Sequence, residues 1–293
     1  MVPRMTMVID AHHHFWDPGT RRHAWLDGAA MAPLRRPYGV AELRDEAERS
    51  GVDGTVLVQV LNAAEETAEF LATAEASELV RGVVGWVDLR APDVADRLDR
   101  MRELPGGELL VGVRHLVQDE PDPEWLLRAD VRRGLRAVGA AGLVVDLVVR
   151  RPQWDAAART VRGLDEVPFV LDHLGKPRIA EYGGDSPAGL DREWADWLTG
   201  LAATGNLVAA KLSGLVTEAS WQDWTLDGLR PYADAALESF GPDRLMFGSD
   251  WPVCRLAAPY VEVAEAAGAL TAGLSTAERE AVFGGTARRV YGV

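Results

Sequence analysis

The chain has 293 residues, 47% of them hydrophobic and 26% charged, which is an ordinary globular composition with enough length for a sizeable core. Its formal net charge of -14 argues against binding nucleic-acid phosphates, which calls for basic surface. Cys254 is the only cysteine, so no intramolecular disulfide can form; with no apolar leader and no membrane-length run, we expect a cytoplasmic protein with neither a membrane nor a nucleic-acid partner.

Read in order, the chain opens with a short apolar strand at 8–11 that runs into His12-His13-His14. Residues 15–39 carry Pro18, Gly19, Pro33, Pro37 and Gly39 among aromatics and predict a long loop, the kind of segment that is often functional. A helix is predicted over 40–50, ending before Gly51, and a β-branched strand over 55–60. A helix over 63–79, a strand over 82–89 and a helix over 92–104 follow, with Pro92 tolerated in the first turn. The fourth strand, 109–115, ends in Arg114-His115, and the fifth, 142–148, contains Asp146. Helices at 129–141 and 152–164 flank that fifth strand.

The sixth strand, 167–172, ends in Asp172-His173. Residues 175–189 predict another long loop, and 191–204 a helix with Trp194, Trp197, Leu198 and Leu201 on one stripe. A seventh strand at 206–214 carries Lys211, a Trp-containing loop spans 215–225, and a helix covers 226–240. The eighth strand, 244–248, stops at Ser249-Asp250-Trp251-Pro252. Helices near 257–271 and 276–283 close the chain, the last with a capping box from Ser275 and Glu278.

Short apolar strands that do not strictly alternate belong in a parallel sheet buried on both faces. Eight of them alternating with helices give an α/β fold, a (β/α)8 TIM barrel, as a single domain over 1–293. The rival doubly wound sheet usually has a Gly-rich phosphate turn after its first strand, and three histidines occupy that turn here.

Barrel chemistry sits at the C-terminal ends of the strands, so polar residues there are the candidates. His12 and His14 are two apart and share one side of an extended strand, which turns His13 away into a structural position. With His173 and Asp250 they make three nitrogens and one oxygen, a set that zinc accepts while leaving a place for water. Asp250 is the best general base, since Pro252 leaves few N–H groups for it to cap as a structural acid. Arg114 and His115 could polarise a carbonyl without a metal, although strand alternation turns one of them outward. Lys211 either binds a substrate oxygen, pairs with an acid or snorkels at the rim. Asp146 either faces the pocket or caps a helix. Among the tryptophans near the mouth, Trp25 and Trp251 are the candidates for stacking on a sugar ring. Cys254 lacks an activating partner and reads as a buried inert thiol.

Three stretches together, 9–17, 171–177 and 245–252, resemble the amidohydrolase superfamily, closest to its sugar-lactone hydrolases of the fuconolactonase and rhamnonolactonase type. The stretches 112–118 and 211–215 and the pair Tyr291-Gly292 support the resemblance over nearly the whole chain. It implies the (β/α)8 barrel, hydrolytic opening of a small-molecule lactone, and His12, His14, His173 and Asp250 as metal and catalytic positions. Two-metal members have a lysine on strand four and a histidine on strand five; Arg114-His115 and Asp146 stand there, so at most one divalent metal, zinc, is expected. A metal-free variant stays open. The alternative activity on this fold is metal-dependent decarboxylation of an unsaturated or aromatic acid.

Overall fold

The computed structural model describes residues 7–182 and 189–293. All eight strands form, every neighbouring pair is parallel, and they follow one another around the sheet in sequence order. They are β1 (Ile9–His13), β2 (Gly54–Val58), β3 (Val80–Gly85), β4 (Leu110–His115), β5 (Val144–Leu147), β6 (Phe169–Leu171), β7 (Leu207–Leu212) and β8 (Leu245–Phe247). Between them run α1 (Val40–Ser50), α2 (Ala64–Glu75), α3 (Val94–Arg102), α4 (Ala129–Ala140), α5 (Trp154–Arg162), α6 (Ile179–Tyr182), α7 (Arg192–Ala202), α8 (Leu215–Glu218) and α9 (Leu226–Phe240). α10 (Tyr260–Leu270), α11 (Thr276–Glu280) and α12 (Thr286–Tyr291) come last. This is a (β/α)8 barrel.

The barrel closes by polar contacts rather than a regular β1–β8 ladder. His14 N donates to Trp251 O at 2.7 Å and Asp250 N to His12 O at 2.8 Å. The Asp10 carboxylate reinforces the seam, accepting from Ser249 N (2.9 Å), Ser249 Oγ (2.6 Å) and Tyr260 OH (2.9 Å). The residues that seal the barrel therefore adjoin those that carry its chemistry.

Ile9, Ala11, Val56, Val84, Val170 and Met246 fill the interior, and a larger apolar layer joins the strands to the helices. α12 crosses the N-terminal ends of the strands, where Ala287 and Tyr291 join the interior cluster. The sequence pattern places a helix over 276–283; the structure instead has α11, one π turn at Ala281–Gly285, and then α12. Gly284 leaves the helical range (φ 175°, ψ -40°) and kinks the chain between α11 and α12, and its missing side chain lets the kink approach the segment before β1, since a Cβ there would lie 2.2 Å from Met7 O.

The loop at 15–39 contains two 3-10 turns, Ala24–Leu26 and Ala29–Leu34, and is pinched at its base by paired bonds between Trp16 and Tyr38. Part of the expected loop at 175–189 lies outside the described residues, and its early portion forms α6.

Candidate active site

β1 is not a regular strand where it matters. Asp10 pairs with Thr55 but His13 pairs with Leu57, so β1 holds one extra residue there. Ile9 and Ala11 line the interior below this bulge, and His12 and His14 face the centre above it. His13 points out, with Nε2 2.9 Å from Thr55 Oγ1.

Three imidazoles and one carboxylate converge at the C-terminal mouth. His12 Nε2 and His14 Nε2 are 3.1 Å apart. Asp250 Oδ1 lies 3.9 Å from His12 Nε2, 3.4 Å from His14 Nε2 and 3.8 Å from His173 Nε2. The remaining ring nitrogens are engaged. His14 Nδ1 donates to Val58 O at 2.7 Å, which leaves its Nε2 lone pair facing the centre. His173 Nδ1 meets Ser213 Oγ at 2.8 Å.

Beneath these groups lies a layer of buried charge. Asp172 binds Arg114 Nη1 at 2.9 Å through Oδ2 and Lys211 Nζ at 3.0 Å through Oδ1. Lys211 Nζ also meets Asp146 Oδ2 at 2.5 Å and His12 Nδ1 at 3.1 Å. Arg114 is held by the side-chain and main-chain oxygens of Gln59, and its Nη1 lies 3.2 Å from His12 Nε2.

The backbone is strained to present the site. His173, Leu174, Gly175 and Lys176 have φ of 51°, 51°, 73° and 56°, one full left-handed turn, and Asp250 has φ of 56°. Each non-glycine residue in that region costs about 1–2 kcal/mol, so neighbouring groups must hold it. Trp154 Nε1 donates to Gly175 O at 2.8 Å and Trp194 Nε1 to Leu174 O at 2.7 Å. Gly214, itself at φ 69°, gives the His173 ring room.

Burial sets the protonation states. It holds the imidazole of His12 far below its ordinary range, with the Lys211 ammonium adding to the effect. It lowers His14 too, and His173 to about 4, so all three rings are neutral at neutral pH. Burial alone would raise the Asp250 carboxyl, but His173 and His14 overcome it and keep the group below its usual value. The same contest at Asp172, with burial against Lys211 and His12, ends well below the carboxylate range. At Asp146 burial wins over Lys211, and the carboxyl is pushed to about 6.

Neutral imidazoles and an ionised carboxylate are what a divalent cation requires. Zinc–nitrogen bonds of about 2.0–2.1 Å put neighbouring ligand atoms roughly 3.3 Å apart, and the spacings among His12, His14 and Asp250 bracket that value. These three form a close grouping whose donors suit a divalent cation, and His173 lies beside it, 3.8 Å from Asp250. His12, Asp172 and His173 form a second close grouping, but Lys211 and Arg114 already supply cationic partners to Asp172 there.

Of the remaining sequence candidates, Arg114 faces the centre and His115 does not. The His115 ring stacks on Trp125 (4.1 Å between centroids), accepts from Trp86 Nε1 at 3.0 Å and meets Glu120 Oε1 at 2.7 Å, so neither nitrogen is left for a substrate carbonyl. Trp251 is fully buried between Tyr38 and Phe15 and offers no ring face. Trp25 packs edge-on against Trp16 and stays partly exposed. Of the roles open to Lys211 and Asp146, the geometry is that of a mutual ion pair inside the barrel. Cys254 is buried, and burial pushes its thiol well above the usual range. Sequence reasoning did not single out Asp172, Gln59 or Ser213 for a role. Each is a polar residue at the end of an apolar strand, and that signal was available.

The protein belongs to the amidohydrolase family, whose model matches residues 9–293. Its relatives include an L-fucono-1,5-lactonase of Burkholderia multivorans, 41% identical over 97% of this chain and 95% of that protein. A second L-fucono-1,5-lactonase, from Burkholderia ambifaria, is 36% identical over 86% of this chain and 83% of that protein. A crystal structure of an amidohydrolase from Burkholderia multivorans with bound zinc matches with a TM-score of 0.89 at 39% identity, covering 98% of this chain and all of that one.

Proposed function

We propose that this protein is a hydrolase that opens a sugar-derived lactone to its hydroxy acid by attack of water on the ring carbonyl. The observation that carries the reading is the convergence of His12, His14, His173 and Asp250 at the barrel mouth, in a chain 41% identical to an L-fucono-1,5-lactonase.

Asp250 is ionised at neutral pH and takes the proton of the attacking water as the oxygen–carbon bond forms. One zinc ion held by His12, His14, His173 and Asp250 would polarise the carbonyl and make the water more acidic. Arg114, held by Gln59 and Asp172 beneath the same space, places a fixed positive charge there that favours the negative charge developing on the carbonyl oxygen. Collapse of the tetrahedral intermediate breaks the ring carbon–oxygen bond, and the proton held by Asp250 passes to the departing ring oxygen. His173 is steadied for this by Ser213 and His12 by the Lys211–Asp172 pair. Trp25, partly exposed in the loop after β1, is the candidate for packing on the sugar ring.

The test is acid release, followed with a pH indicator, from a panel of aldonolactones beginning with L-fuconolactone. Acid without carbon dioxide supports lactone opening, whereas carbon dioxide from an unsaturated or aromatic acid supports decarboxylation. Inertness toward every lactone overturns the reading.

A further inference from the structure

The Tyr291-Gly292 pair has no part in the chemistry above, yet Tyr291 is joined to the site by an unbroken chain of buried polar contacts. Its hydroxyl lies 2.8 Å and 2.9 Å from the two carboxylate oxygens of Asp146. Asp146 accepts from Lys211 at 2.5 Å, and the Lys211 ammonium lies 5.4 Å from the centre of the Tyr291 ring. Lys211 then reaches Asp172 at 3.0 Å and His12 Nδ1 at 3.1 Å. Asp146, Lys211, Asp172 and His12 are at most 1% exposed and Tyr291 is 5% exposed, so water does not screen these contacts.

The Lys211 ammonium is held between two carboxylates, and its position depends on how strongly each one draws it. The tyrosine hydroxyl disperses part of the Asp146 charge. Without that donor Asp146 draws Lys211 more strongly, away from Asp172 and from His12 Nδ1. Hydrogen bonds to ionised groups are among the stronger ones in proteins, and the low-polarity surroundings magnify the imbalance.

We propose that Tyr291 is a positioning residue that acts through Asp146 and Lys211 on His12. α12, packed at the N-terminal end of the barrel, thereby sets the geometry of the site at the opposite end. The inference rests on the lactonase reading only in treating His12 as part of the working site.

Tyr291→Phe removes one oxygen atom and keeps the ring, the packing and the cation–ring contact. We expect kcat for lactone opening to fall about tenfold with KM changed less than twofold, because the substrate does not touch Tyr291. Asp146→Asn cuts the chain one link nearer the site, and adding Tyr291→Phe to it should cost little more. Long-range 1H–15N spectra of the histidine side chains provide a readout independent of turnover. The His12 nitrogens should shift in Tyr291→Phe, while those of His13 and His23 stay in place. Unchanged kcat together with unchanged His12 resonances overturns the proposal, as does a full additional loss in the Asp146→Asn background. If the wild type opens no lactone, the functional reading fails, and the His12 spectrum alone decides the positioning role.

Discussion

Glu66 on α2 offers a quantitative test of the electrostatics that hold the site in place. It is 2% exposed, and its Oε2 accepts from Val60 N at 2.7 Å and Leu61 N at 2.9 Å. Those two residues follow Gln59, which carries Arg114. Burial pushes the Glu66 carboxyl up from 4.5 to about 7 against the pull of both backbone donors. A carboxyl raised in the folded state keeps a proton that the unfolded chain has already released. Its contribution is therefore intact below about pH 4.5 and is lost as pH rises through about 7. Glu66→Gln retains an acceptor oxygen for the two amides and removes the charge. Relative to wild type, the variant should gain about 2–3 kcal/mol between pH 5 and pH 8. Urea unfolding at pH 5, 6.5 and 8 measures this, with equal m-values as the condition for comparison. A difference that does not change with pH, or a variant less stable than wild type at pH 8, would refute the reasoning.

Other perturbations follow from the same geometry. Gly214→Ala places a Cβ 2.8 Å from the His173 ring at a backbone φ of 69°, so we expect stability to fall by at least about 1–2 kcal/mol and lactone turnover to drop more than tenfold, read by melting and by initial rates. Asp172→Asn leaves Lys211 and Arg114 without their shared anion and should cost about 3–5 kcal/mol in denaturant unfolding. Ser213→Ala removes the Nδ1 partner of His173 and should lower kcat about fivefold, a loss of roughly 1 kcal/mol. Elemental analysis should find about one zinc ion per chain, with chelation lowering the melting temperature and His14→Ala abolishing zinc uptake.

The strands were legible in the sequence because a buried parallel sheet demands continuous apolar runs, and those of β1, β4, β6 and β8 lead directly into the polar residues at the barrel mouth. The converging set of His12, His14, His173 and Asp250 followed from that logic, since a strand's last residues reach the barrel mouth whatever its neighbours are. What stayed hidden depended on contacts between distant segments. Trp251 is buried because the loop after β1 folds Tyr38 and Phe15 over it, and no local pattern encodes that path. The choice between Arg114 and His115 turns on the register of β4 against β5, where Arg114 pairs with the inward-facing Asp146. The β1 bulge changes which residues face inward within a single strand, which simple alternation does not anticipate. The helix expected over 276–283 does break at Gly284, but the approach of that kink to Met7 and the further helix α12 beyond it were not legible from local pattern.

Asp250→Asn tests the central claim most directly. The substitution keeps the shape and the left-handed backbone position while removing the negative charge. Lactone hydrolysis by the variant, with its fold checked by circular dichroism and melting, should fall by about 10²–10⁴-fold in kcat. A correctly folded Asp250→Asn protein that opens the lactone at the wild-type rate would contradict the account.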